Sequence, residues 1–291
     1  MTNPTTTVTA PTSRTADIAA SRRRTASATT ARRQGLGRAI ASEWIKIRTL
    51  RSTWIGMALV VLVLVGFGGL AAATSTGSVA GPSDGGGGTD PLSVVLSGAN
   101  FAVLVISVLG CLAGAREYSS RMIAATVAAV PRRWQVVVSK SIVFGAVTAV
   151  TAVTGVLGAF WLGMAILAGG DAATVALTDD DTLRELAGMA GYITAIGTFG
   201  LGLGILLRSI AGSIGAVVAG VMILPPLAGA LLPASWDEIL QYLPSSAGAA
   251  FTTVQGAGRE VLSPGAGAAV LITWVIAALG GAIISISHRD A

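Results

Sequence analysis

The sequence predicts an all-α membrane protein of six transmembrane helices, and three observations carry that prediction. Between Trp54 and Ser287 lie six apolar stretches without a single Asp, Glu, Lys or Arg, each near the roughly 20 residues that a helix needs to cross the hydrocarbon layer. The chain is 53% hydrophobic and 11% charged, with a mean hydropathy of +0.75, whereas a soluble domain carries about 25% charged residues. The charges that remain alternate in sign from one connection to the next. Backbone groups in lipid must be satisfied internally, which leaves helices or closed barrels. The apolar–polar alternation of a barrel strand is absent. The spans are placed near residues 54–74, 97–115, 141–168, 186–207, 210–232 and 265–287.

The charge map sets an orientation. Ten Lys/Arg precede the first span, from Arg14 to Arg51; Arg116, Arg121, Arg132, Arg133 and Lys140 lie between spans two and three; Arg208 follows span four and Arg289 span six. The other three connections hold only Arg184 and Arg259, together with ten of the 14 acids, among them Asp179, Asp180 and Asp181. Cytoplasmic loops are the ones enriched in Lys and Arg. Both termini are therefore expected in the cytoplasm, and an odd number of spans would break the alternation. The net charge of +5 follows this map, so it points to a membrane surface and not to nucleic acid.

Residues 1–37 are rich in Thr, Ala, Ser and Arg, with Asp17 the one acid. They have no apolar period and are expected to be a disordered basic tail. A tail touching anionic lipid and an organellar transit peptide both fit this composition. A cleaved secretory signal fits poorly, because no apolar run follows the arginines until Trp54. Residues 38–291 form the six-span domain.

From Arg38 to Arg51, Ile40, Trp44 and Ile47 share one helical face, Glu43 and Arg51 sit near its edges, and Lys46 lies off it. This reads as an interfacial elbow helix before span one turns into the membrane. A plain extension of span one is the alternative. Trp44 and Trp54 suit the headgroup level. The first outer loop holds Gly85, Gly86, Gly87 and Gly88, a flexible linker. It is no phosphate loop, since no Lys-Ser/Thr follows.

The connection from Arg116 to Lys140 is the most informative polar segment. Met122, Ile123, Thr126, Val127 and Val130 fall on one helical face, and Pro131 should stop that helix. A link between two spans needs only a few residues, so a segment of about twenty-five that builds an amphipathic helix suggests a docking element. A surface helix with snorkelling side chains is the plainer alternative.

Gly197, Gly200, Gly202 and Gly204 cluster in span four, and Gly212, Gly215 and Gly220 in span five. Small residues let membrane helices approach closely. Pro225 and Pro226 should kink span five. The outer loop from Pro233 to Pro264 carries Trp236, Ile239, Leu240, Tyr242, Leu243, Phe251 and Val254, too apolar for a solvated loop. One or two short helices, dipping inward, are expected there.

The chemistry carried by the chain is sparse. Cys111 and His288 are the single cysteine and histidine, so no disulfide or metal site is expected, and Cys111 reads as a packing residue. No Gly-x-x-x-x-Gly-Lys-Ser/Thr occurs. No cofactor is expected, and the chain does not read as an enzyme. The polar groups at depth are mostly threonines, such as Thr148, Thr151, Thr154, Thr194 and Thr198, which commonly bond their own helix backbone. Spans without ionisable groups argue against a proton-coupled transporter.

A resemblance emerges from three runs. Ser42-Glu43-Trp44-Ile45-Lys46-Ile47-Arg48-Thr49-Leu50-Arg51-Ser52-Thr53-Trp54 resembles the opening of actinobacterial permease subunits of type-2 ABC exporters. Glu117-Tyr118-Ser119-Ser120-Arg121-Met122-Ile123, followed by Ala128-Ala129-Val130-Pro131-Arg132-Arg133, is similar to their second motif, and Tyr242-Leu243-Pro244-Ser245-Ser246-Ala247-Gly248 to a late one. The likeness spans about residues 38–291 and leaves out the basic tail. It implies six spans, an elbow helix, a cytoplasmic coupling helix between spans two and three, and short outer helices before span six. It also implies a cell-membrane permease working with a separate ATPase subunit, as a homodimer or paired with a related permease. On that footing Arg116, Glu117 and Arg121 become the residues expected to couple to the ATPase, with Glu43 and Lys46 of the elbow behind them. The competing expectation is a non-transporting membrane protein, an assembly or sensor partner.

Overall fold

The computed structural model describes residues 35–79, 90–119, 134–250 and 262–288. The described residues contain helices and no strands. In chain order the helices are α1 (Leu36–Thr49), α2 (Arg51–Ser75), α3 (Pro91–Val95), α4 (Ala99–Ser119), α5 (Trp134–Gly169), α6 (Asp180–Leu207), α7 (Ile210–Leu231), α8 (Asp237–Leu240), α9 (Pro244–Ala249) and α10 (Pro264–His288). Six of them, α2, α4, α5, α6, α7 and α10, are long and apolar enough to cross a membrane. The chain is a multi-pass, all-α membrane protein.

The expected spans match these helices in number and order, but several helices run further. Helix α5 begins at Trp134, seven residues before the apolar stretch, and α6 begins at Asp180. Hydropathy marks the apolar slab, while intrahelical hydrogen bonding continues beyond it. The extensions take Lys140 and Glu185 into spanning helices, where both are buried. The basic tail, the Gly85–Gly88 linker, the expected helix over 122–130 with Arg121, and Phe251 and Val254 lie outside the described residues.

Successive spans run in opposite directions. At one end of the bundle Arg116 of α4 meets Ser52 of α2, Lys140 of α5 meets Glu43 of α1, and Arg208 after α6 meets Ser285 of α10. At the other end Phe67 of α2 stacks on Phe101 of α4, with ring centroids 4.4 Å apart, and Trp274 of α10 donates its indole N–H to the Tyr242 carbonyl at 2.9 Å.

The core is built on helices α4 and α6, which touch backbone to backbone. A Cβ at Gly110 would collide with the carbonyl oxygen of Gly197, one at Gly114 with that of Leu201, one at Gly200 with that of Ser107 and one at Gly204 with that of Cys111. Gly110 and Gly114 are four residues apart, as are Gly200 and Gly204, so each helix presents a flat stripe to the other. Apolar tails cannot be driven together by water inside a bilayer, so this close van der Waals fit carries much of the cohesion. Cys111 lies buried in the seam, as its reading as a packing residue expects. Of the five threonines, four bond their own helix: Thr151 to Val147, Thr154 to Val150, Thr194 to Ala190 and Thr198 to Thr194. The exception is Thr148, whose buried hydroxyl has no hydrogen-bond partner among the described residues.

Helix α7 is interrupted as its proline pair requires, in an unexpected form. Residues Val218–Ile223 form a π-helical turn directly before Pro225 and Pro226. A proline has no N–H to offer, so the carbonyls four residues back lose their ordinary partners. Widening the turn re-pairs part of the backbone: the Leu224 N–H reaches the Ala219 carbonyl, five residues back.

The loop before α10 holds a 3-10 turn (Ala234–Trp236), α8 and α9, as its apolar content suggested. Helix α9 is wedged between α6 and α10. A Cβ on Gly248 would enter the Tyr192 ring, and one on Gly267 would meet the Ala247 carbonyl. Tyr192 lies twelve residues into α6, about 18 Å along its axis, so the wedge dips inward. Helix α3 was not anticipated. Its signal was Asp90-Pro91: the Asp90 carboxylate accepts from the Ser93 N–H at 3.2 Å, with proline in the first turn.

Candidate functional site at the elbow

Helix α1 ends at Thr49. Leu50 adopts an extended conformation (φ −84°, ψ 99°), and α2 starts at Arg51. One residue thus separates the elbow from span one, and α1 is a helix in its own right. It packs mainly on α5 and barely on α2, so it crosses the bundle instead of extending a span.

The face that α1 turns inward differs from the expected one. Glu43 is its one buried residue, at 4% exposure. Trp44 and Ile45 are exposed, while Ile47 packs against the apolar core. An Ile40–Trp44–Ile47 stripe with Glu43 at its margin therefore gives the wrong centre. The true inward line is Ile40, Glu43 and Ile47, with a carboxylate in the middle.

That carboxylate is gripped on both oxygens. Lys46, one turn along α1, donates to Glu43 Oε1 at 2.6 Å. Lys140, in the first turns of α5, donates to Oε2 at 3.0 Å and is itself buried. A buried carboxylate is tolerable only when paired and hydrogen-bonded, and the two lysines meet that condition. Beside the pair, Arg116 Nη1 reaches Ser52 Oγ at 3.4 Å, linking the end of α4 to the start of α2. Four helices, α1, α2, α4 and α5, are thereby tied at one end of the bundle by polar contacts.

Beside these contacts lies a cavity of about 170 Å³, lined by the polar residues Glu43, Lys46, Ser52, Arg116 and Lys140 and by apolar side chains such as Leu50, Leu109 and Phe144. A second groove, about 450 Å³, lies between α5, α6 and α10 and is lined almost wholly by Ala, Val and Ile with Thr194 and Thr198. Both threonine hydroxyls already bond their own helix, so the groove offers an apolar guest little beyond shape.

Of the five residues expected to face an ATPase, Glu43, Lys46 and Arg116 converge on this cavity. Arg116 is exposed, so it can also reach outward, whereas Glu43 points inward to Lys140. Glu117 lies on the last turn of α4, and Arg121 falls outside the described residues. Sequence reasoning missed Lys140 as a site residue; it read only as a marker of the return to the membrane. Its one available signal was a lysine set at the edge of an apolar stretch with no acid nearby in sequence. Among the described residues there is no cluster of three His, Cys, Asp or Glu that could hold a metal.

No protein-family model matches this chain, and no curated protein matches it either.

Proposed function

We propose that the chain is the permease subunit of an ATP-driven exporter of the type-2 ABC class, driven by a separate ATPase and working with a second permease, either a copy or a relative. The observation that carries this reading is the elbow. A short helix, set off from span one by a single extended residue, is pinned by Glu43–Lys140 to the start of span three. Span three is also the helix that the Arg116–Lys140 connection feeds. A push on that connection would be transmitted to the elbow through the Glu43–Lys140 ion pair and to span one through the Arg116–Ser52 hydrogen bond.

The three sequence runs supply the family resemblance, and a chain with no P-loop motif fits a reading in which a partner hydrolyses ATP. In this reading the basic end of the bundle faces the cytoplasm of a cell membrane, with both termini there, and the ATPase docks on it through Arg116, Glu117 and Arg121. Glu43 and Lys46 hold the joint behind that surface.

Reconstitution tests the reading. Proteoliposomes holding the permease and its ATPase should transport only with ATP, and transport should persist when an uncoupler collapses the proton gradient at clamped ATP. Transport by this chain alone in ATP-free vesicles would defeat it. A chain that never co-purifies with an ATPase would be the assembly or sensor protein instead.

A further inference from the structure

The side of α1 that turns away from the bundle has a character of its own. Arg38, Ala41, Trp44, Ile45 and Arg48 fall within about 120° of one another around the helix, and all five are exposed. Trp44 is 46% and Ile45 60% accessible, an arrangement that water would penalise. The face carries two cations and no acid. The one acid of α1, Glu43, is buried on the other side and paired with Lys46 and Lys140. Arg51 and Trp54, which open α2, are exposed as well. No ion pair among the described residues engages Arg38, Arg48 or Arg51. Two joints set the depth of this face. Glu43 is tied to Lys140, the seventh residue of α5, about 9 Å along the helix from its start and directly before the apolar stretch that opens at Ser141. Leu50 alone links α1 to α2, so the elbow cannot leave that end of the bundle. The helix therefore lies beside span three at the edge of the hydrocarbon layer, where the headgroups are.

We infer that the outward face of α1 is a docking surface for anionic phospholipid. Trp44 and Ile45 enter the boundary between headgroups and acyl chains, and Arg38 and Arg48 hold the phosphates of net-anionic lipids on either side. An indole suits that depth. Apolar residues flanked by arginines on one face of a short helix are the composition of a segment lying in the interface, and each cation held near an anionic surface adds to the attraction. A soluble acidic partner would match the arginines, but it would have to enter the headgroup layer to reach Trp44 and Ile45. The elbow is thus held from two sides by different means, a buried ion pair towards α5 and lipid on the face opposite. The lipid face is centred on Trp44, Ile45 and Arg48, not on the Ile40–Trp44–Ile47 stripe that periodicity suggests. The inference does not rest on the exporter reading, because it concerns binding and needs neither ATP nor an ATPase.

The test reads the surroundings of position 45. In the full chain carrying Cys111→Ala, the substitution Ile45→Cys is labelled with a fluorophore. The protein is reconstituted into phosphatidylcholine vesicles with a small fraction of nitroxide-labelled lipid, either phosphatidylglycerol or phosphatidylcholine. At equal fractions the phosphatidylglycerol probe should quench about threefold more strongly, and Arg38→Gln/Arg48→Gln should bring that ratio to about one. Both arginines are exposed, so the variant should fold, which its thermal midpoint checks. Arg22→Gln/Arg23→Gln, in the basic tail, should keep the ratio of the parent. Equal quenching by the two lipids in the parent, an unchanged ratio in the Arg38/Arg48 variant, or an equal loss in the tail variant would overturn the inference. Quenching by neither lipid would place the face in water or against a protein, and would overturn it as well.

Discussion

The guanidinium of Arg208 donates to the backbone carbonyl of Ser285 at 2.9 Å, so the turn after span four is fastened to the last turn of span six. Arg208 itself sits in the left-handed region, φ 54°, a conformation that costs a non-glycine residue roughly 1 kcal/mol or more. Its amide bonds to the Gly204 carbonyl, and Ser209 immediately caps the next helix by accepting from the Gly212 N–H at 3.2 Å. The Ser285 carbonyl is one of the last four of α10, which lack helical partners, and a cation is favoured at that negative end.

The strain and the bond at Arg208 can be separated. Arg208→Gly removes the bond to Ser285 but relaxes the backbone; Arg208→Ala removes the bond and keeps the strain. Unfolding in detergent should find Arg208→Ala less stable than Arg208→Gly by about 1 kcal/mol. Equal stability would show that the left-handed backbone is not strained in the native protein.

The buried ion pair predicts an asymmetric pattern. Lys140→Met leaves Glu43 buried with Lys46 as its remaining lysine, and should lower stability by about 3 kcal/mol. The double variant Glu43→Gln/Lys140→Gln, with no buried charge at that contact, should recover a large part of the loss. Thermal unfolding of the parent, Glu43→Gln, Lys140→Gln and their double variant gives the coupling directly, and additive losses would mean that the pair contributes nothing as a pair.

The glycine seam predicts intolerance to a single methyl group. Gly114→Ala and Gly200→Ala place a Cβ against backbone oxygen, which no side-chain rotation can relieve. Gly215→Ala, where a Cβ meets nothing within 4 Å, is the control. The first two should unfold or express poorly, and the third should behave like the parent chain. Parent-like melting of Gly200→Ala would show that α4 and α6 are further apart than described.

The orientation is tested by labelling. In a Cys111→Ala background, a cysteine at Gly86 or Asp180 should react with a membrane-impermeant maleimide in intact cells, and one at Ser120 should react only after lysis. Labelling of the Ser120 position in intact cells would invert or dismantle the proposed topology.

The proposed docking surface is tested by charge. Glu117→Lys should abolish stimulation of the partner's ATP hydrolysis while the protein still inserts and melts normally. Coupled hydrolysis that survives the reversal would remove Glu117 from that surface.

The spans could be read from composition because crossing lipid demands a long apolar run, and that demand is local to each segment. The close packing of span four was also legible, since glycines in a membrane helix have few other uses. The matching stripe of Gly110 and Gly114 went unremarked because two small residues among alanines and leucines carry little signal alone. Glu43 could not be placed from sequence: local periodicity ranked it as marginal, and the lysine that justifies its burial lies 97 residues away. Pro225 and Pro226 announced a disturbance in span five, but whether a helix answers lost hydrogen bonds by bending or by widening depends on its neighbours. The short helix at Pro91 was marked by a capping pair that an apolar reading passes over.

The distance in sequence between Glu43 and Lys140 also imposes a schedule on biosynthesis. At about 5–20 residues per second, the ribosome needs roughly 5–20 s after making the carboxylate before it makes the distant lysine. Throughout that interval the nascent elbow must avoid burying a naked anion, and Lys46, one turn away on the same helix, is already there to neutralise it. The elbow can therefore wait at the membrane surface as a self-neutralised segment and dock only when the third span arrives. Its seating would mark the moment when half of the spans are in place.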